Sequence, residues 1–289
     1  MHQYLRAIGF SNIKSKKELR ELLSSVIEGS DNASYIKTDR NSTISEHYKM
    51  FAGPCGIVLR GEIEEDKNLT LDFYYPFLMP SQISSGEELS IERHAEKESF
   101  AGILEDIKVG ATMIFYLQNG VEYMKMSSAN TYEKTGHEVK LSGLSTSGTI
   151  LLPIKKNAKE VAKVKQLAND RREKLVQARE GNEEAIESLT LDDIDMYSAI
   201  SRRIQKEDVF SLVDTYFMPY GIECDQYSVL AEIEDFEYHH NYITDEEICV
   251  LKLNMNEFKF DVCINREDLF GEPEIGRRFK GSIWLQGRF

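Results

Sequence analysis

The chain has 289 residues, with 35 Lys and Arg against 49 Asp and Glu, for a formal net charge of -14. This length is enough to bury an ample core, and at about 100–200 residues per domain it suggests two domains. The acidic balance disfavours non-specific binding to nucleic acid or anionic lipid, because affinity for phosphates comes mainly from Lys and Arg displacing counterions.

The segment from Met1 to Phe10 alternates Tyr4, Leu5, Ile8 and Phe10 with polar residues and lacks the continuous apolar stretch of a secretory signal. No later run approaches the about 18 apolar residues of a membrane span. Ser15-Lys16-Lys17-Glu18 is a capping box and predicts a helix start. Leu19, Leu22, Leu23, Val26 and Ile27 then share one helical face, with Gly29 as a left-handed stop. Residues 30–47 read as a surface loop or ragged strand. From 48 to 153 the period is two, with strands around Ile57 to Ile63, Leu69 to Phe73, Met113 to Leu117, Val139 to Leu141 and Thr149 to Leu152. Asn119-Gly120 suits a type I′ hairpin, and Gly143 to Gly148 reads as a hairpin loop.

Lys155 to Glu180 holds nine basic and four acidic residues without Gly or Pro, and Val161, Val164, Ala168, Leu175 and Ala178 make a thin apolar seam. It predicts a long helical strut. Glu183 to Leu189 predicts a short helix, and Thr190-Leu191-Asp192-Asp193 the start of another. Lys206 to Tyr216 predicts a small helix before strands Val229 to Ile233, Ile248 to Leu253, Phe258 to Ile264 and Lys280 to Gln286.

Landmarks recur in one order at both ends. Phe51, Pro54, Gly56, Gly61-Glu62-Ile63-Glu64-Glu65, Phe100 and Tyr116-Leu117-Gln118 correspond to Phe217, Pro219, Gly221, Ala231-Glu232-Ile233-Glu234-Asp235, Phe260 and Trp284-Leu285-Gln286. The expectation is an α+β fold of two related helix-plus-antiparallel-sheet or partly open barrel modules, residues 1–153 and 206–289, joined by a helical linker over 154–205.

Gly181-Asn182-Glu183-Glu184-Ala185-Ile186-Glu187, Phe217-Met218-Pro219-Tyr220-Gly221, Glu223-Cys224-Asp225-Gln226-Tyr227-Ser228 and Phe279-Lys280-Gly281-Ser282-Ile283-Trp284-Leu285-Gln286-Gly287, together with the opening Tyr4-Leu5-Arg6-Ala7-Ile8-Gly9-Phe10, carry a resemblance. The chain resembles, over essentially its whole length, a family of uncharacterised Firmicutes proteins of unknown function. The resemblance implies a bacterial cytoplasmic origin and assigns no activity, cofactor or site residue.

Cys55, Cys224, Cys249 and Cys263 form no Cys-x-x-Cys pair, which points to reduced thiols and a cytoplasmic location. No glycine-rich phosphate cradle and no Gly-x-Ser-x-Gly elbow occurs. The polar loop from Tyr220 through Glu223, Cys224 and Asp225 to Tyr227 is a binding candidate because loops between elements often carry function. Acids on both sides of Cys224 raise its thiol pKa and argue against a nucleophile. His239-His240, near Asp235 and Glu237, is the most metal-like cluster. Adjacent strand side chains point to opposite faces, so exposed histidines are the competing reading and no metal is assigned. His94 with Glu92 and Glu96 sits in a charged segment read as a solvated strand edge, and the Asp192-Asp193-Asp195 run lacks the calcium-loop pattern. Tyr116, Trp284, Arg277, Arg278 and Lys280 would serve an oligonucleotide-binding barrel, but strand aromatics usually fill cores and the net charge opposes it.

Two functions stay open. One is a non-enzymatic cytoplasmic interaction or scaffold protein that binds a protein partner or a second copy of itself. The other is an enzyme or small-molecule binder using a cleft between modules. No cofactor is implied.

Overall fold

The computed structural model describes residues 2–37, 42–63, 69–93, 99–154, 166, 170, 171, 173–178, 180–204 and 213–289. After a 3-10 turn over Gln3–Ile8, helix α1 (Lys16–Glu28) starts on the expected capping box: Ser15 accepts from the Glu18 amide while the Glu18 carboxylate accepts from the Ser15 amide. Leu22, Leu23 and Val26 are buried, whereas Ile27 is exposed, and Gly29 ends the helix at φ -129° rather than in the left-handed region. The stretch read as a loop or ragged strand instead supplies β1 (Asn32–Lys37) and the start of β2 (Thr43–Ala52), which continue into β3 (Cys55–Ile63) and β4 (Leu69–Leu78). These four form an antiparallel meander in chain order.

Next come β5 (Leu89–Arg93), β6 (Phe100–Asp106), β7 (Ala111–Leu117), helix α2 (Gly120–Ser128), β8 (Lys140–Leu151) and helix α3 (Glu183–Ile204). The chain continues through β9 (Tyr216–Pro219), β10 (Gln226–His240), β11 (Glu247–Met255), β12 (Phe258–Asn265), β13 (Leu269–Phe270) and β14 (Arg278–Arg288). Strands β5 to β14 make one sheet, and within it β8, β12, β11, β10 and β14 close a five-stranded barrel. β8 completes the ring. It runs parallel to β12 on one side, with Ser142 opposite Asp261, and antiparallel to β14 on the other, with Ser142 opposite Gln286.

This topology overturns the expected α+β pair of helix-plus-sheet modules joined by a long helical linker. The fold is mainly β. The corresponding landmarks do not nucleate separate interiors: β8 shares a barrel with β10, β11, β12 and β14, and β7 lies parallel to β14 with Tyr116 opposite Gln286. The two landmark glutamines meet there, the Gln118 side-chain amide donating to Gln286 at 3.0 Å. Both cores mix the two ends of the sequence. One joins Leu104, Phe115 and Leu141 to Val229, Leu251, Phe260, Phe279 and Leu285. The other packs the 3-10 turn, α1 and the meander, through Ile8, Val26, Phe51, Ile57 and Phe77, on the barrel's outer wall at Leu144, Val250, Cys263 and Trp284.

Local readings fail for related reasons. Gly143 and Gly148 belong to β8, where a Cβ on Gly148 would run into the Phe279 ring and one on Gly143 would lie 2.9 Å from Ile283. Their lack of a side chain lets β8 close against bulky neighbours, so a stretch that looks like a flexible loop is a tight strand contact. Asn119-Gly120 opens α2 instead of turning a hairpin, and Thr190 lies inside α3 with its hydroxyl bonded to the Ile186 carbonyl. Val161, Val164 and Ala168 of the strut, most of the helix read at Lys206 to Tyr216, His94 and Glu96 lie outside the described residues; Tyr216 itself begins β9. Among the described residues, no helix is long and apolar enough to cross a membrane.

Candidate functional site

Strand β14 organises the site through simple alternation. Phe279, Ile283 and Leu285 point into the barrel and are fully buried, which sends Lys280, Ser282, Trp284, Gln286 and Arg288 outward. Midway along, the Trp284 indole donates to the Asp225 carboxylate at 2.7 Å and stacks on Tyr4, with ring centroids 5.4 Å apart. The Leu285 amide donates to the Asp225 carbonyl at 2.8 Å. The 220–225 loop is thereby pinned to the outer wall, and the Tyr220 amide closes it by donating to the Gln226 carbonyl.

Below this anchor lies a pocket of about 500 Å³. Gln3 and Tyr4 border it from the N-terminal turn, Thr146 to Thr149 from β8, Gln226 and Ser228 from β10, Lys280 to Ser282 from β14, and Tyr220 from the loop. A register shift in the β8–β14 pairing between Gly281 and Ile283 leaves Thr146 and Ser147 without partners in that ladder. Such bulges re-aim side chains. The Ser145 hydroxyl steadies this one by donating to the Ser147 and Ser282 carbonyls at 3.0 and 2.9 Å.

The lining offers hydroxyls, amides and one ammonium. Burial and then Asp225 push the Tyr4 phenol up to about 12, so near neutral pH it is protonated and serves as a hydrogen-bond donor. Burial, followed by Asp225 and Glu223, raises the Cys224 thiol above its ordinary value. A protonated thiol is a poor nucleophile.

Of the residues singled out from the sequence, Tyr220 reaches the pocket, while Asp225 acts behind it by holding Trp284. Glu223 and Cys224 are exposed on the same loop outside the lining. His239 and His240 end β10, about 40 Å of strand contour from Gln226. His239 lies 3.4 Å from Glu237, two residues back on its own face, and His240 lies 3.5 Å from the cross-strand Glu247. The two imidazoles therefore face apart, and the described residues contain no group of three or more His, Cys, Asp or Glu placed to hold a metal. Glu92 is exposed near the end of β5. Asp192 and Asp195 lie within α3, Asp192 paired with Lys174 at 2.7 Å.

Of the basic and aromatic residues weighed for nucleic acid, Lys280 and Trp284 belong to the pocket and its anchor, and the others are engaged elsewhere. Arg277 pairs with Glu274 at 2.6 Å, Arg278 donates to the Leu152 and Val213 carbonyls, and Tyr116 packs between Tyr75 and Trp284. Sequence reasoning missed Gln3, Ser147, Ser228 and Ser282. Ser147, Ser228 and Ser282 carried a signal as small polar residues on otherwise apolar strands, readable only once the covering turn, which holds Gln3, and the loop are placed.

A family described as "Domain of unknown function, E. rectale Gene description (DUF3881)" matches residues 5–287. The chain belongs to that family. No curated protein and no solved structure matches it.

Proposed function

We propose that this protein is a cytoplasmic, non-enzymatic binding protein that takes a small hydroxyl-rich polar ligand on the outer wall of its barrel. The observation that carries the reading is the pocket itself: four separate stretches of chain converge hydroxyl and amide groups around about 500 Å³, a volume suited to a small molecule. A lining dominated by neutral donors and acceptors favours a ligand that exchanges hydrogen bonds with water for hydrogen bonds with protein. Binding rather than chemistry is supported by the Tyr4 phenol and Cys224 thiol, both held in their protonated forms. Four free cysteines, three of them buried, fit a reducing compartment.

A protein partner or second copy is the second reading, favoured by the exposed Met218, Tyr220 and fully exposed Ile222 beside the pocket. A thermal-shift screen against sugars, polyols and nucleosides separates the two, because a ligand that binds only the folded state raises Tm. We expect a stabilising ligand whose effect disappears in Ser282→Leu, which fills the pocket, while the variant keeps a cooperative transition. Shifts unchanged in that variant, or a concentration-dependent dimer with no small-molecule response, overturn the small-ligand reading.

A further inference from the structure

Beyond the pocket, the opposite end of the outward face of β14 meets the meander and α2. We propose that the seam between the β1–β4 meander and α2 binds a small tetrahedral oxyanion through Arg60, Lys125, Arg288 and the first turn of α2.

Arg60, on β3, is only 2 % exposed, yet its Nε is buried without a hydrogen-bond partner, and its guanidinium forms no ion pair among the described residues. Its surroundings are otherwise neutral. The rings of Phe73 and Phe100 lie 5.6 and 5.8 Å from its central carbon, and Nη2 donates to the Met124 thioether at 3.0 Å. Nη1 reaches the start of the nine-residue α2, where a Cβ on Gly120 would stand 3.2 Å from it. The Asn119 side chain makes no capping bond there and instead donates to the Glu122 carboxylate of the first turn at 3.1 Å, so that turn's own acid sits at the surface while the Arg60 guanidinium is buried. A buried guanidinium without a paired anion is unfavourable.

Neither nearby acid, Glu122 or Glu46, pairs with Arg60 among the described residues. Glu46 is the cross-strand neighbour of Arg60 and is half-buried, but it forms no ion pair among the described residues. Arg60 from β3, Lys125 from α2 and Arg288 from β14 all act on it, with the phenols of Tyr75 on β4 and Tyr116 on β7 nearby. Burial outweighs those cations and pushes the Glu46 carboxyl up to about 7, so near neutral pH much of it is a neutral donor. His47, the next residue of β2, sits against Tyr35 on the other side of the strand. Arg288 donates to the Met79 thioether at 2.7 Å, again a neutral partner. Positive groups therefore grade from exposed Lys125 through half-buried Arg288 to buried Arg60, an entry route within a chain of net charge -14.

Calorimetric titration with inorganic phosphate and with sulfate, at ionic strength held constant with KCl, tests the site on the full chain. Saturable binding is expected, weakened about tenfold or more by Lys125→Ala, a substitution at an exposed position, and by Arg288→Gln. Arg60→Met should abolish it. Should Arg60→Met fail to fold, the Lys125 and Arg288 variants still decide. Ser282→Leu should leave phosphate binding intact. No saturable heat up to about 10 mM anion, equal affinity in the Lys125 and Arg288 variants, or loss of binding in Ser282→Leu overturns the proposal.

Discussion

At one end of the outward face of β14, Lys280 and Ser282 open on hydroxyls and amides; at the other, Gln286 and Arg288 lie beneath the meander among Arg60, Lys125 and Glu46. The alternation that exposes both ends is identical, so the strand's own pattern does not set their chemistry. What differs is the cover. The pocket is roofed by a short turn and a loop that leave polar groups facing the cavity, whereas the other end is covered by a sheet and a helix that bury Arg60 and leave Lys125 at the surface.

The largest way to break this contrast is at its midpoint. Trp284 is 6 % exposed and packs between Tyr4 and Tyr116, so Trp284→Ala should cost about 3–5 kcal/mol in urea unfolding and abolish pocket binding. A loss under about 1 kcal/mol would mean the two ends are mechanically independent.

Glu46 sharpens the contrast through pH. Its folded carboxyl, at about 7 against an ordinary 4.5, binds its proton more tightly than in the unfolded chain. Its contribution to stability is therefore complete below about pH 4.5 and is lost as pH rises through 7. Glu46→Gln should remove up to about 3 kcal/mol of that decline and be the more stable form at pH 8. Urea midpoints measured from pH 4.5 to 8 check this, and parallel curves for the two proteins would refute it.

A smaller effect tests the pocket end. Asp225→Asn keeps an acceptor for Trp284 but removes its charge, and should cost about 1 kcal/mol. The Tyr4 phenol should also titrate lower, since Asp225 contributes to its upward shift. Ultraviolet titration of tyrosinate formation follows that change.

Legibility followed the range of the interactions. The Ser15 and Glu18 capping box and the strand around Lys280 to Gln286 could be read because they depend on neighbours a few residues away. Asn119-Gly120 misled because the same pair tolerates a turn or a helix start, and the following Val121 settles the choice by burying itself completely. Gly143 to Gly148 misled because its tightness comes from Phe279 and Ile283, far away in sequence. Periodicity identifies which face of a strand is buried but not which strand lies beside it. That is why β8 was assigned to the wrong architectural unit and why Gln3, Ser228 and Ser282 could not be grouped with Tyr220 beforehand.

The closure of the barrel on β8 also sets a timetable. Ser145 donates to the carbonyl of Ser282, 137 residues further along the chain, so β8 leaves the ribosome long before either flanking strand exists. Until then Leu141 and Leu144 can pack on earlier segments, through Phe115 and through the N-terminal turn and meander, but the ladder groups of β8 that later pair with β12 and β14 stay open, and such unpaired strands are prone to associate wrongly. Translation must deliver β14 before the ring can lock, so closure of the barrel waits on that strand.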